Sequence, residues 1–354
     1  MDTNIRSKNS DIKDYLHLVL SPWDLTDDYN RHAGVTLFSS LKHCSQPTIV
    51  HLLYDADLSV GKEKEVSVNK AYFREIADFY DADINYHHVD IPAWVQDIPN
   101  VKKWTPGTLL RLALPDILPD VEKVIYLDCD MVVTTDLKEL WDVDLKDYPL
   151  AACPDSSLSL FDWKRKKYYN KINLSYENYF CAGTLILNLK KIREMHVSFV
   201  TDVFQFFYKH QDLPYLDQDL LNFYFGDNYL KLDCKYNIYS SEQDSINRAG
   251  DGIIHYASSG KPWKCYIGEI DDYYWKYFME TPWCQTKHDV LIYSRMAPDI
   301  SRCFTTIPSS LVIYSKGNIK KTLISICTMN INIFKELVRG LYFFVKIHVL
   351  KRGF

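Results

Sequence analysis

The sequence lacks any long apolar run and any strong excess of one charge. Its apolar runs are short, residues 341–345 being among the longest, whereas a membrane-spanning helix needs about 20 apolar residues. The net charge of −5 gives no general attraction to nucleic acid, so we expect no nucleic-acid partner. Residues 1–15 contain no apolar stretch like that of a secretory signal, which favours a cytoplasmic location.

Paired cysteines and glycine-rich motifs are also missing. The nine cysteines include no C-x-x-C pair, which disfavours a zinc knuckle, and their odd number and the chain length argue against a small disulfide scaffold. With 12 glycines, 14 prolines and 47% hydrophobic residues, the chain is neither collagen-like nor disordered. No G-x-G-x-x-G motif is present, which speaks against a nicotinamide cofactor.

Short apolar segments alternate along the chain with segments of helical spacing. The alternation is typical of βαβ units and predicts an α/β fold with a mostly parallel central sheet flanked by helices. The predicted strands are 16–20, 49–53, 84–89, 124–127 and 184–189. The predicted helices are 33–41, 64–80 and 108–114.

The composition changes after about Trp283, which predicts a main domain of residues 1–283 and a C-terminal helical appendage of residues 284–354. Lys335, Arg339 and Lys346 recur there at helical spacing among aromatic and β-branched residues. Such a helix suits an anionic membrane surface, as a peripheral contact with the inner face of the cytoplasmic membrane. In the alternative interpretation, a terminal helix docks on the main domain and its basic residues are merely solvated.

Two carboxylates follow a predicted buried strand in the segment VIYLDCDMVV. Asp128 and Asp130 share one face of the chain because strand residues two apart point the same way. Like charges this close repel each other unless a cation lies between them, so the pair predicts a divalent metal site with oxygen ligands. The chain contains four other D-x-D triplets, but only this one directly follows a four-residue apolar strand.

The chain resembles the family 8 glycosyltransferases, which include bacterial lipopolysaccharide galactosyl- and glucosyltransferases and, more distantly, glycogenin. The resemblance covers roughly residues 15–270 and lies in six blocks in the expected order. The blocks are SPWDLTDDYNRHAGVTLFSSL, KKWTPGTLLRLALPDILPDVEKVIYLD, YLDCDMVVTTDLKELWDVDL, YFCAGTLILNLKKIRE, YLDQDLLN and IIHYASSGKPWK. The resemblance implies a GT-A type nucleotide-binding fold and metal-dependent, retaining transfer of a hexose from a UDP-sugar.

The resemblance also implies a set of site residues. The metal ligands are Asp128, Asp130 and His255, and oxygen with imidazole ligands suit Mn²⁺, or alternatively Mg²⁺. The expected catalytic residues are Gln218, Asp217 and Arg111. The expected donor-binding residues are Ser21, Asp24, Tyr29, Asp155, Cys181, Gly260 and Lys261. The partners are then UDP-glucose or UDP-galactose and a saccharide or glycolipid acceptor in cell-surface polysaccharide or lipopolysaccharide synthesis.

Several of these assignments have structural alternatives. Without the resemblance, His255 is interpreted as a core histidine, Asp217 as a helix cap and Asp155 as a turn residue. Arg111 is then a member of a helix-surface ion pair, and Lys261 is a surface lysine. Relatives usually have asparagine where Cys181 stands, and the register of the first loop between Asp24 and Asp28 is ambiguous. Retention of configuration allows either a covalent double displacement or a same-face attack.

Two other functions compete with a transferase. A sugar-nucleotide nucleotidyltransferase is also a nucleotide-binding α/β protein with metal carboxylates, but it needs a glycine-rich loop with a basic residue, and SPWDLTDD has neither. A catalytically degenerate nucleotide-sugar binder at the membrane is suggested by Cys181 and Ser258 but opposed by the intact Asp128, Asp130, His255 and Gln218.

Overall fold

The structure is a computed structural model that describes residues 15–27, 29–55, 60–157, 163–242, 244–257, 260–264 and 268–284. The chain divides into two compact units, Met1–Ala257 with Asp272–Trp283, and Ser258–Asp271 with Cys284–Phe354. Apart from Cys284, the predicted C-terminal appendage lies outside the described residues. Its helical character and the predicted domain boundary therefore stay predictions.

Ten strands are described. They are β1 (Leu16–Trp23), β2 (Thr48–Tyr54), β3 (Asp83–His88), β4 (Lys123–Leu127), β5 (Met131–Val133), β6 (Leu150–Pro154), β7 (Phe180–Asn188), β8 (Leu230–Lys231), β9 (Ile238–Tyr239) and β10 (Ile253–His255).

The described helices lie mostly between these strands. The α-helices are α1 (Asn30–Lys42), α2 (Glu63–Phe79), α3 (Pro99–Trp104), α4 (Leu114–Ile117), α5 (Leu137–Trp141), α6 (Trp163–Lys171), α7 (Leu189–Met195), α8 (Phe199–Lys209), α9 (Leu216–Phe225), α10 (Ser245–Arg248) and α11 (Ile270–Phe278). Three 3₁₀ segments span Ala93–Asp97, Pro106–Ala113 and Cys234–Tyr236.

Seven strands form the central sheet in the order β3-β2-β1-β4-β7-β6-β8. Four of its pairings are parallel and two, both made by β7, are antiparallel. This confirms the predicted α/β class with a mostly parallel sheet. The strand order reverses at β1, which lies between β2 and β4. Ligands in open α/β sheets bind at such a switch point, beyond the carboxyl ends of the strands.

Each predicted strand and helix corresponds to an observed element, but some boundaries differ. The first strand was expected to end before Ser21 and instead continues to Trp23, because Trp23 pairs with Tyr54 after a register shift. The predicted helix 108–114 is a 3₁₀ segment followed by the short α4. The residues of β1 from Leu16 to Leu20 are all buried, as expected of a strand covered on both faces.

A second, three-stranded sheet has the order β5-β10-β9. Its antiparallel β5–β10 pairing places His255 opposite Met131, the residue that follows Asp130 in the sequence. The parallel pairing of β10 with β9 places His255 opposite Tyr239. This small sheet therefore brings a residue from late in the chain to the end of the central strand β4.

None of the helices in the described part of the chain combines the length and the apolar character that crossing a bilayer requires.

Candidate active site

Asp128, Asp130 and His255, called here the Asp–Asp–His cluster, lie just beyond the carboxyl end of β4. Each offers a ligand atom, and these atoms all lie within 4.8 Å of one another. The His255 Nε2 atom is 3.3 Å from Asp130 Oδ1 and 3.7 Å from Asp128 Oδ2. The backbone fixes the carboxylates, because Asp128 N donates to the Gly183 carbonyl and Tyr256 N donates to the Asp130 carbonyl.

The imidazole of His255 is oriented by its other nitrogen. Nδ1 lies 2.8 Å from Asn237 Oδ1, a carbonyl oxygen that only accepts, so Nδ1 carries the proton and donates. The Nε2 atom, which faces the carboxylates, is then the nitrogen left to bind a metal. Metal-ligating histidines in proteins are commonly held by such an outer hydrogen bond.

Close approach of the histidine ring depends on Gly183 in β7. A Cβ atom at this position would lie 2.4 Å from His255 Cε1 and 2.7 Å from Met131 Cε. No real Cβ contact is that short, so any other residue at 183 would displace the ring or the methionine. The glycine of the YFCAG block thus leaves the space that the imidazole fills.

The charges of the cluster fit a cation. Burial alone would lower the pKa of His255, but the charge of Asp130 and its hydrogen bond raise that pKa to about 10. The cluster therefore favours positive charge between its side chains, whether a proton or a metal ion. A set of two hard carboxylates and one imidazole, whose Nδ1 is already hydrogen-bonded, suits Mn²⁺ or Mg²⁺.

Arg111 lies beside the cluster in the 3₁₀ segment. Its Nη2 donates to Asp128 Oδ1 at 2.7 Å, its Nη1 donates to the Ala182 carbonyl at 2.7 Å, and its Nε lies 3.2 Å from Asp217 Oδ2. The guanidinium also lies over the ring of Tyr126, whose hydroxyl donates to the same Asp128 oxygen. Arg111 is almost fully buried between two carboxylates, unlike the surface ion pair of the alternative interpretation.

Asp217 is buried in the first turn of α9. Burial and the charge of Asp128 raise its pKa to about 6, and Arg111 opposes that shift. The residue is not the helix cap of the alternative interpretation, because the N-cap is Tyr215 and the amide of Tyr215 donates to Asp219.

Gln218 and Asp155 are joined in one hydrogen-bonded chain. Ala182 N donates to Gln218 Oε1, and Gln218 Nε2 donates to Asp155 Oδ2, both at 3.0 Å. The other oxygen of Asp155 accepts from the Tyr239 hydroxyl at 2.9 Å and from Ser157. Asp155 is thus a turn residue, as its alternative interpretation required, and also a partner of Gln218.

Cys181 is buried beside the histidine. Its thiol lies 3.7 Å from Asn237 Oδ1 and 3.9 Å from His255 Nδ1. It therefore contacts the group that orients the histidine. Its predicted contact with the donor sugar stays a prediction.

The residues predicted for the first loop differ in their contacts. The Ser21 hydroxyl donates to the Gly107 carbonyl, and Asp24 Oδ1 accepts from the amide and hydroxyl of Thr26. Tyr29 is different, because burial and the charges of Asp130, Cys129 and Asp128 together raise its pKa well above the usual value. Asp28, the alternative register, lies outside the described residues.

Gly260 and Lys261 belong to the second compact unit. Within that unit the Lys261 ammonium lies 5.7 Å from the centroid of the Trp263 ring. Their predicted phosphate contacts stay a prediction.

Interactions therefore link the Asp–Asp–His cluster with Arg111, Asp217, Gln218, Asp155 and Cys181. The sequence interpretation missed Asn237 and Tyr239. Their signal was weak, because both lie in or beside a two-residue strand that has no readable periodicity.

Comparisons with known proteins agree with this geometry. The sequence profile of glycosyl transferase family 8 matches residues 23–266. A putative glycosyltransferase of Haemophilus influenzae is 26% identical over 68% of this chain and 74% of its own. The lipopolysaccharide 1,3-galactosyltransferase of Salmonella typhimurium is 24% identical over 61% of this chain and 67% of its own.

Among solved structures, the galactosyltransferase LgtC in complex with donor and acceptor sugar analogs superposes with a TM-score of 0.60. The match covers 75% of this chain and 96% of that one at 24% identity, which shows a shared GT-A fold. The family profile spans well over half of the chain and includes every residue of the site described above except Ser21. This chain is therefore a glycosyltransferase that belongs to glycosyl transferase family 8.

Proposed function

We propose that this chain transfers a hexose from UDP-glucose or UDP-galactose to a saccharide acceptor, with retention of configuration and with Mn²⁺, or Mg²⁺, as cofactor. The observation that carries the proposal is the Asp–Asp–His cluster, whose ligand atoms converge beyond the carboxyl end of β4 next to the switch point of the sheet. A metal ion held there would act as a Lewis acid on the departing diphosphate.

The residues around the cluster have separable tasks in this proposal. Arg111 holds the Asp128 carboxylate through Oδ1, which leaves Oδ2 for the metal. Tyr29, Ser21 and Asp24 bind the nucleoside at the end of β1, and Gly260 and Lys261 contact the diphosphate. Asp155, Gln218 and Cys181 face the hexose.

A same-face attack is favoured over a covalent double displacement. The nucleophile of a double displacement must be a carboxylate free to attack the sugar. Asp217 Oδ2 is instead paired with Arg111, and both oxygens of Asp155 already accept hydrogen bonds. Gln218 is held at both ends of its amide and cannot ionise. In this route Gln218 would stabilise positive charge on the sugar while the leaving phosphate accepts the proton of the acceptor hydroxyl.

The acceptor in this proposal is a cell-surface saccharide or glycolipid. The galactosyltransferase relative named above acts on lipopolysaccharide, which supports that class. Association of residues 284–354 with an anionic membrane surface is part of the same proposal. It is tested by sedimenting the full chain, and a chain lacking residues 334–354, with anionic liposomes. Equal sedimentation of the two would contradict it.

The central test is release of UDP by the purified full chain. UDP-glucose, UDP-galactose and their N-acetyl forms are each incubated with Mn²⁺, and free UDP is measured. We expect release from one hexose donor, loss of release with a chelator, and recovery when Mn²⁺ is restored. Formation of pyrophosphate from UTP and a sugar phosphate would identify a nucleotidyltransferase, and UDP binding without release would identify a non-catalytic binder.

A further inference from the structure

We propose that Tyr239 is a positioning residue that couples the carboxylate of Asp155 to the metal-ligand histidine, His255. The inference rests on the function proposed above, since both partners belong to that site. It assigns a role to a residue from the two-residue strand β9, which no motif in the sequence marks.

The ring of Tyr239 supports the histidine. β9 and β10 pair in parallel with Tyr239 directly opposite His255, so their side chains stand on the same face of the small sheet. The two rings stack with centroids 5.6 Å apart and an interplanar angle of 25°. Because Asn237 fixes Nδ1 and Tyr239 covers the ring face, the imidazole is constrained both along its edge and across its plane.

The hydroxyl of Tyr239 holds the carboxylate. It donates to Asp155 Oδ1 at 2.9 Å, while Gln218 Nε2 donates to Asp155 Oδ2 at 3.0 Å. Bonds to both oxygens stop the carboxylate from rotating, and its fixed Oδ2 in turn fixes the amide of Gln218. A continuous set of contacts thus runs from His255 through Tyr239 and Asp155 to Gln218.

The Tyr239 hydroxyl is a stable donor in this position. Only 8% of the residue is exposed, and a phenol hydroxyl keeps its proton at neutral pH, so it remains a donor. Ser157 donates to the same Asp155 oxygen but lies only two residues away in the same turn. Tyr239 is therefore the contact that ties this turn to the histidine.

Two substitutions test the hydroxyl and the ring of Tyr239 separately. Tyr239→Phe keeps the ring and loses the hydroxyl, so we expect Mn²⁺ affinity within about twofold of wild type and a fall in kcat for UDP release of about tenfold. Tyr239→Leu loses the stacked ring as well, and we expect Mn²⁺ affinity to fall severalfold. Metal affinity is measured by Mn²⁺ electron paramagnetic resonance without donor, a readout independent of turnover.

A matched control is Tyr236→Phe. Tyr236 is also 8% exposed and also approaches a carboxylate, but that carboxylate is Glu139, for which no contact with the site is seen among the described residues. We expect wild-type turnover from this variant.

A double-mutant cycle tests whether Tyr239 acts through Asp155. In an Asp155→Ala background, adding Tyr239→Phe should give little further loss, because the hydroxyl no longer has the side-chain acceptor that it positions. Fully additive losses, or a kcat of Tyr239→Phe equal to that of the wild type, would overturn the inference. UDP release by the wild-type chain would still support the proposed function in that case. A wild-type chain that releases no UDP from any donor would overturn both. Unchanged Mn²⁺ affinity in Tyr239→Leu would overturn the part that concerns His255.

Discussion

Two largely buried polar clusters at the strands of this protein have opposite characters. One is the Asp–Asp–His cluster beyond β4. The other is the histidine row, in which His17, His51 and His87 lie side by side on β1, β2 and β3. His17 Nδ1 and His51 Nε2 are 2.9 Å apart, and so are His51 Nδ1 and His87 Nε2. Adjacent rings stack or tilt with centroids 5.1–5.2 Å apart.

The difference lies in the balance of charge. Neutral imidazoles each have one donor and one acceptor nitrogen, so the histidine row satisfies its inner nitrogens without any added ion. The Asp–Asp–His cluster has two acceptor-only carboxylates, and with ionised Asp217 and Arg111 beside it the site keeps a net negative charge even when His255 is protonated. The excess negative charge, rather than polarity and burial alone, therefore makes the Asp–Asp–His cluster the candidate metal site.

The largest expected effect comes from removing a charge from the Asp–Asp–His cluster. Asp130→Ala deletes a ligand, and since a metal Lewis acid is worth several kcal/mol, Mn²⁺-dependent UDP release should fall on the order of 1,000-fold. The matched control is Asp142→Ala, in another D-x-D triplet, whose exposed carboxylate pairs with Lys138. It should retain wild-type turnover. Wild-type turnover in Asp130→Ala would show that the metal lies elsewhere.

A smaller effect should follow from loosening the histidine without removing it. Asn237→Ala deletes the acceptor that fixes Nδ1, and loss of such outer partners typically weakens metal binding about 10–100-fold. Mn²⁺ titration of the free protein measures this directly. The control is Asn178→Ala, because the two contacts described for the Asn178 amide are long, 3.4 Å each, and lie on the surface. Equal affinity of Asn237→Ala and wild type would mean that packing alone orients the ring.

The sequence predicted the half of the site that local pattern determines. The apolar run 124–127 followed by Asp128 and Asp130 indicated a strand end with converging carboxylates, and the structure has them there. His255 was assigned only through resemblance, because 125 residues separate it from Asp130 and no periodicity joins them. The pairing of β10 with β5 that unites them is a tertiary event.

Other features of the fold could not be predicted from the sequence for the same reason. The apolar segment 184–189 indicated a buried strand, but not that β7 runs antiparallel to both its neighbours, because burial on both faces erases directional pattern. The sequence interpretation ended the first strand at Ser21, whereas pairing of Trp23 with Tyr54 extends β1 past that residue. The donors and acceptors around His255 depend on pairings that local sequence does not encode.

The remaining expected effect concerns the histidine row and is one of stability rather than of turnover or metal affinity. Burial, with His17 and His87 alongside, lowers the pKa of His51 to about 3, against about 6.5 in the unfolded chain. The unfolded state therefore binds the proton more tightly than the folded state. The free energy of unfolding is therefore unaffected by His51 above about pH 6.5. It decreases as the pH falls from 6.5 toward 3, by about 2 kcal/mol between pH 7 and pH 5.

Urea unfolding of the chain at pH 7 and pH 5 measures this loss in wild type and in His51→Gln. We expect the substitution to reduce the pH dependence, because a glutamine takes up no proton in the unfolded state. The control is His88→Gln on the same strand as His87, since His88 is partly exposed and paired with Asp90. An equal pH dependence of the free energy of unfolding in wild type and His51→Gln would show that the histidine row accepts protons in the folded state. The proposed contrast between a neutral histidine row and a charged Asp–Asp–His cluster would then be wrong.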